Sequence, residues 1–235
     1  MRLWCGAIVR VCALALAVAG AVLAGTITYG LDSVFSGTAP LGNQPWITFT
    51  FTNDSLPADT VDLTIFNDNL LDSEFVSDIF LNFNPILDPT ILSFAYLPST
   101  QSDDGTVTLR SGDYGGQWNV AGGGYFDINI SFPTSSQDDR FGAGESITYR
   151  ITCAGCGLVP EYFSTRSADK QGQSYVEDSF FYNAAHVQSI GAAGASGWIT
   201  GGPGRGPLEE VPEPDVSVLL GGGIVAIGLL RRYLK

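Results

Sequence analysis

Between Gly25 and Thr200 apolar residues recur at every second position, and this period constrains the fold more than any other feature of the chain. Ile47, Phe49 and Phe51 alternate with three threonines, and Val61, Leu63 and Ile65 alternate with Asp62 and Thr64. Phe126, Ile128, Ile130 and Phe132 alternate with Asp127, Asn129 and Ser131, and Ile147, Tyr149 and Ile151 repeat the pattern. Successive side chains of a strand point to opposite faces, so each segment reads as a strand with one buried and one wet face. Ile79 to Phe83, Ile91 to Tyr96, Thr106 to Arg110, Phe180 to Ile190 and Trp198 to Thr200 supply further strands. Breakers separate them: Leu56-Pro57, Asp88-Pro89, Asp104-Gly105, Gly115-Gly116, Gly122 to Gly124 and Pro133. Leu71, Phe75 and Ile79, at spacing four, would suit one short helix, but no stretch sustains a 3.6-residue apolar stripe. The expectation is an all-β chain, an antiparallel β-sandwich with jelly-roll-like connectivity over residues 25–200.

The two ends follow different rules. Arg2 and Arg10 precede the uncharged run Val11 to Leu23, and Val22-Leu23-Ala24 offers residues that a signal peptidase reads, so residues 1–24 are expected to be a signal peptide. Residues 201–210 form a Gly/Pro-rich linker. Beyond it, Val211-Pro-Glu-Pro214 leads into the apolar run Val216 to Leu230, closed by Arg231, Arg232 and Lys235. Proline is suited to a first helical turn, and the charges match a helix dipole, acidic at its start and basic at its end. Seventeen residues, 214–230, give roughly 25 Å of helix at about 1.5 Å per residue. That is enough to cross a hydrocarbon core of about 30 Å once the arginines snorkel. The basic end places the C-terminus in the cytoplasm and the body outside.

This tripartite tail resembles the PEP-CTERM sorting signal of bacterial surface proteins. The resemblance rests on Val211, Pro212, Glu213 and Pro214, the apolar helix, and the basic stop-transfer pair Arg231 and Arg232. It implies an exosortase-type membrane enzyme as processing partner, acting near the Pro-Glu-Pro triplet, and an association with exopolysaccharide or biofilm matrix. Ala184 to Gly202, with Ala-His-Val-Gln and Ser-Gly-Trp-Ile, is also similar to a stretch in the bodies of one group of such proteins, which carries no assigned activity.

Charge narrows the partners. The 23 acidic and six basic residues between 25 and 214 leave that stretch a net charge of −17. Nucleic acid is excluded, since phosphate binding needs a basic footprint. Cys5 and Cys12 depart with the signal peptide, leaving Cys153 and Cys156 as a candidate disulfide or an idle thiol pair. Two cysteines and the single His186 fall short of a zinc site, and no cofactor is expected; the EF-hand spacing is absent, and a loop calcium site on Asp103, Asp104 and Asp113 is the open alternative to no metal. His186 lacks a recognisable nucleophile motif beside it and reads as a hydrogen-bonded sheet histidine. The acidic groups Asp68, Asp72 and Glu74, Asp103 and Asp104 near Asp113, Asp138 with Asp139, and Glu177 with Asp178 read as turn residues, though a hydrolase would draw its two carboxylates from among them.

Tyr114, Trp118 and Tyr125, beside glycine-rich loops, are candidates for stacking on sugar rings, or else hairpin-packing residues. The functional expectation is a non-catalytic exported surface or matrix protein. A carbohydrate-binding module is the first alternative and a polysaccharide hydrolase the second.

Overall fold

The computed structural model describes residues 25–97, 105–110, 118–168 and 181–202. The expected signal peptide, the expected linker beyond Gly202, Val211 to Pro214, the expected helix 214–230, and Arg231 and Arg232 lie outside the described residues.

Among the described residues, fourteen strands follow in chain order. The first seven are β1 (Thr26–Leu31), β2 (Ser33–Gly37), β3 (Ile47–Thr52), β4 (Thr60–Phe66), β5 (Phe75–Leu81), β6 (Ser93–Leu97) and β7 (Thr106–Leu109). The rest are β8 (Trp118–Asn119), β9 (Tyr125–Phe126), β10 (Ile128–Ser131), β11 (Phe141–Gly142), β12 (Ser146–Thr152), β13 (Asn183–Ile190) and β14 (Ala195–Thr200). Helix among the described residues is confined to short 3-10 turns at Pro89–Ile91, Gln137–Asp139 and Pro160–Phe163. No helix among them is long and apolar enough to cross a membrane.

The strands form two antiparallel sheets and a separate β8-β9 hairpin. The first sheet runs β1-β3-β4-β12-β6, and the second runs β2-β14-β13-β5-β10-β7 with β11 beside β5. One core cluster joins them. Phe49, Phe51, Leu63, Ile65, Ile147 and Tyr149 enter it from the first sheet, and Val76, Ile79, Ile128, Ile130, Val187 and Ile199 from the second. The period-two pattern is what lets each strand supply that core while keeping threonines outward. The 3-10 turn at Pro160–Phe163 closes one side: Phe163 stacks on Phe51 at 4.5 Å, and the Tyr29 hydroxyl donates to the Phe163 carbonyl. Burial pushes the Tyr29 phenol up to about 12.

Some boundaries move for identifiable reasons. The long alternation at 126–132 breaks at Asp127, whose carboxylate accepts the N–H of Phe83 at 3.0 Å. Leu71, Phe75 and Ile79 do not share a helix; Phe75 and Ile79 belong to β5, which pairs with β13 and β10 on its two sides. Two strands that the sequence left unassigned, β1 and β2, are almost continuous, and their junction at Asp32 carries the chain from one sheet to the other.

Candidate binding face

Registered pairing lines up one side chain from each of six strands of the second sheet, all but β11. Ser36, Trp198, His186, Asp78, Ser131 and Thr106 follow one another across β2, β14, β13, β5, β10 and β7. Their neighbours Ile199, Val187, Ile79, Ile130 and Val107 pack in or against the core, so alternation directs the row to the outer face.

Two β-bulges fall on this row. Between the pairs His186↔Asp78 and Val187↔Val76 the extra residue is Ser77; between Trp198↔Ser36 and Ile199↔Val34 it is Phe35. A bulge places two residues opposite one and re-aims a side chain. Ser77, only 2% exposed, brings its hydroxyl to 3.0 Å from His186 Nδ1. Phe35 lies 6.4 Å from the Trp198 ring and 4.7 Å from that of Phe181. His186 and Trp198 stack with centroids 4.3 Å apart and planes 10° from parallel.

The imidazole is held in a defined state. Gln188 Nε2 also approaches Nδ1, at 3.5 Å. With Ser77 and Gln188 both on Nδ1, we assign the proton of the neutral ring to Nε2. Burial holds His186 below its ordinary value of 6.5, with the Asp78 carboxylate opposing that shift. The ring is therefore neutral at pH 7. Asp78 accepts the Ser131 hydroxyl through Oδ1 at 2.9 Å, and Oδ2 makes no hydrogen bond to another described residue. Ser131 also lies 2.8 Å from Asn129 Oδ1, and its single proton serves one acceptor at a time.

An apolar patch adjoins the polar row. Phe80, Val120, Phe126 and Ala184 form a second buried cluster, with Phe35, Phe181 and Trp198 partly buried against it. Val120 and Phe126 come from the hairpin, so β8-β9 folds over one end of the face. The turn lies close against the patch: a Cβ at Gly123 would sit 3.0 Å from the Phe35 ring, so a side chain there would displace the ring by a few tenths of an ångström.

The residues singled out from sequence are distributed differently. Tyr125 is half-buried in β9, where its backbone bridges to Ala168; Trp118 pairs with Phe126 in β8; Tyr114 lies outside the described residues. Cys153 and Cys156 are joined by a disulfide, their Cα atoms 5.7 Å apart. The Asp59 carboxylate accepts the N–H groups of Gly155 and Gly157 at 2.8 and 2.6 Å, which holds it below the usual carboxylate range.

Glu74 is 2% exposed and spends both oxygens on backbone, taking the N–H of Leu41 at 2.8 Å and of Leu71 at 2.9 Å. Asp68 accepts the Thr48 hydroxyl. Asp103, Asp104, Asp113, Glu177 and Asp178 lie outside the described residues. Among the described residues, no three His, Cys, Asp or Glu side chains are grouped to hold a metal ion.

Ser77, His186 and Asp78 are the residue types of a hydrolytic triad, but their order differs. A nucleophilic serine faces Nε2 and must reach substrate. Ser77 instead sits on Nδ1 and is buried, which makes it a support for the ring. The row can therefore offer hydrogen bonds and apolar contact. Comparison with protein-family models, characterised proteins and solved structures finds no match. The sequence signal for the face was present in Ala184-Ala-His-Val-Gln188 and Ser196-Gly-Trp-Ile199, which the β13-β14 hairpin brings side by side.

Proposed function

We propose that this chain is an exported, non-catalytic interaction protein that acts through the outer face of its second sheet. The carrying observation is the cross-strand row Trp198, His186, Asp78 and Ser131, with two bulges turning Ser77 and Phe35 onto it. Bulges interrupt ladder hydrogen bonding, and two on one row are reasonable in a site whose side chains must be aimed. The sandwich reading, with jelly-roll-like connectivity, is supported by the repeated changes of sheet between β4 and β5, β5 and β6, β6 and β7, β11 and β12, and β12 and β13.

Delivery follows from the two ends. Signal peptidase removes residues 1–24, the helix 214–230 holds the body outside the inner membrane, and an exosortase-type enzyme recognises Val211 to Pro214. The resemblance of the tail to PEP-CTERM signals supports this route and an association with exopolysaccharide. The engagement of Glu74 with backbone N–H groups and the inverted placement of Ser77 support a non-catalytic body.

Covalent footprinting tests the binding face without knowledge of the ligand. Radical labelling of the protein in its native cell-surface material is compared with labelling of the washed, purified protein. Protection of Trp198 and Phe35 in the native material is expected, with Leu41 and Ile86, exposed elsewhere, labelled equally in both. Equal labelling of Trp198 and Phe35 in the two samples would overturn the reading.

A further inference from the structure

We infer that the ligand of this face is a neutral, hydroxyl-rich polysaccharide, bound along the row from Trp198 through His186 and Asp78 to Ser131. This rests on the proposed binding face and adds the chemical class of its occupant.

The row alternates groups that suit hydroxyls. A hydroxyl both donates and accepts, so it is best matched where donor and acceptor stand side by side. His186 Nε2 is a donor, since Nδ1 is occupied by Ser77 and Gln188. Asp78, its cross-strand partner, has Oδ2 available as an acceptor among the described residues. Ser131 and Asn129 continue the polar stretch on β10, where one shared proton leaves an acceptor open. Adjacent strands stand about 4.8 Å apart, so the row presents these groups at a repeating interval along an extended ligand.

The apolar part of a sugar needs a different partner. Phe35, Phe181 and Trp198, partly buried, supply carbon surface at the β14 end of the row, and aromatic rings give large contact area with few rotamers to freeze. Carbohydrate rings combine a hydroxyl rim with an aliphatic face, and the two halves of this site correspond to those two parts.

Charge decides between classes of polysaccharide. The row holds one carboxylate, Asp78, beside a neutral imidazole, and the stretch from 25 to 214 carries −17. A uronate or sulfated chain would meet repulsion at the site and from the whole body. An organic cation is opposed by the stacking itself: one face of the Trp198 ring is covered by His186, so the rings do not form an open cage.

Affinity electrophoresis tests the inference, with dextran, a β-glucan or a galactan cast in the gel, alginate as the anionic counterpart, and choline as a soluble cationic competitor. The chain without its two terminal signals is to be retarded by at least one neutral polysaccharide, and neither by alginate nor relieved by choline. Asp78→Asn keeps the shape and the acceptor for Ser131 while removing charge, and His186→Phe removes the Nε2 donor while keeping a flat ring against Trp198. Each is expected to weaken retardation about tenfold, near 1.4 kcal/mol. Ile86→Ala, an exposed residue outside the row, is expected to match the parent.

Circular dichroism and a urea melt check that each variant folds, and the Asp78 and His186 variants are read only against a folded baseline. If a variant fails to fold, protection of Trp198 from radical labelling by the same glycans on the parent chain, read peptide by peptide, takes its place. Retardation by alginate alone, relief by choline, no retardation by any neutral polymer, or unchanged retardation of both folded variants would each overturn the inference. Protection of Trp198 in the footprinting experiment together with no glycan retardation would leave the binding face standing and remove only the ligand class.

Discussion

Glu74→Ala isolates a carboxylate that reads as a turn residue in sequence and is buried between two loops in the fold. The side chain joins two loops, taking the N–H of Leu41, between β2 and β3, and of Leu71, between β4 and β5. Hydrogen bonds to a charged acceptor contribute about 1.5–3 kcal/mol each, toward the upper end where the donors cannot be rewetted. Leu41 and Leu71 are themselves exposed residues, so water reaches their backbone after truncation and the lower half of the range applies.

The expected loss is about 3–4.5 kcal/mol for Glu74→Ala, and roughly half of that for Glu74→Gln, which keeps one acceptor oxygen. Urea unfolding followed by tryptophan fluorescence is a suitable assay, because the Trp46 indole donates to Gly42 in the same loop and Asn69 N–H donates to the Trp46 carbonyl. The midpoint should fall with the m-value unchanged. A loss below about 0.5 kcal/mol for the alanine variant would refute the reasoning, since surface substitutions alone account for that much.

Three further outcomes are expected. Arg150→Ala should leave the thermal and urea midpoints almost unchanged, although Arg150 meets Asp62 through two bonds of 2.9 Å, because a half-open pair on the outer face is screened by solvent. His186 titrates below 6.5 in the fold, so its contribution to stability is full above pH 6.5 and is lost as the pH falls through its folded value. As His186 is the chain's single histidine, its NMR titration is unambiguous, and His186→Gln should flatten the stability change between pH 7 and 5. Reduction of Cys153–Cys156 should cost less than the roughly 2 kcal/mol that chain entropy gives for so short a loop, since Asp59 holds Gly155 and Gly157 independently; a urea melt with and without reductant measures it.

Much of the architecture is legible in period two. β3, β4, β10 and β12 coincide with the alternations that mark them to within a residue or two at each end, because their inward faces are uniformly apolar. β1 was harder to read. Thr26-Ile-Thr-Tyr-Gly-Leu31 does alternate, yet it sits directly after a predicted export signal and ends in Gly30-Leu31-Asp32, where the chain switches sheets. β5 was obscured by the Ser77 bulge, which puts Val76 and Ile79 in the core at odd spacing and breaks the alternation.

The candidate face was less legible for a different reason. Asp78 and His186 stand more than a hundred positions apart, and only pairing of β5 with β13 sets them side by side. Local spacing reports which face a residue takes but not which strand will lie next to it. The aromatic trio shows the complementary difficulty: Tyr125 and Trp118 mark a real hairpin, while the larger aromatic patch on which that hairpin packs is built from Phe35, Phe80, Phe181 and Trp198.

The account depends most on delivery of a processed β-domain to the outside of the cell, and intact mass of the protein from native cells tests that directly. Membrane and extracellular fractions are compared. The account predicts an extracellular form that begins at Gly25 and ends near Pro212 to Pro214. Recovery solely of chains that retain the tail through Lys235, all in the membrane fraction, would contradict it.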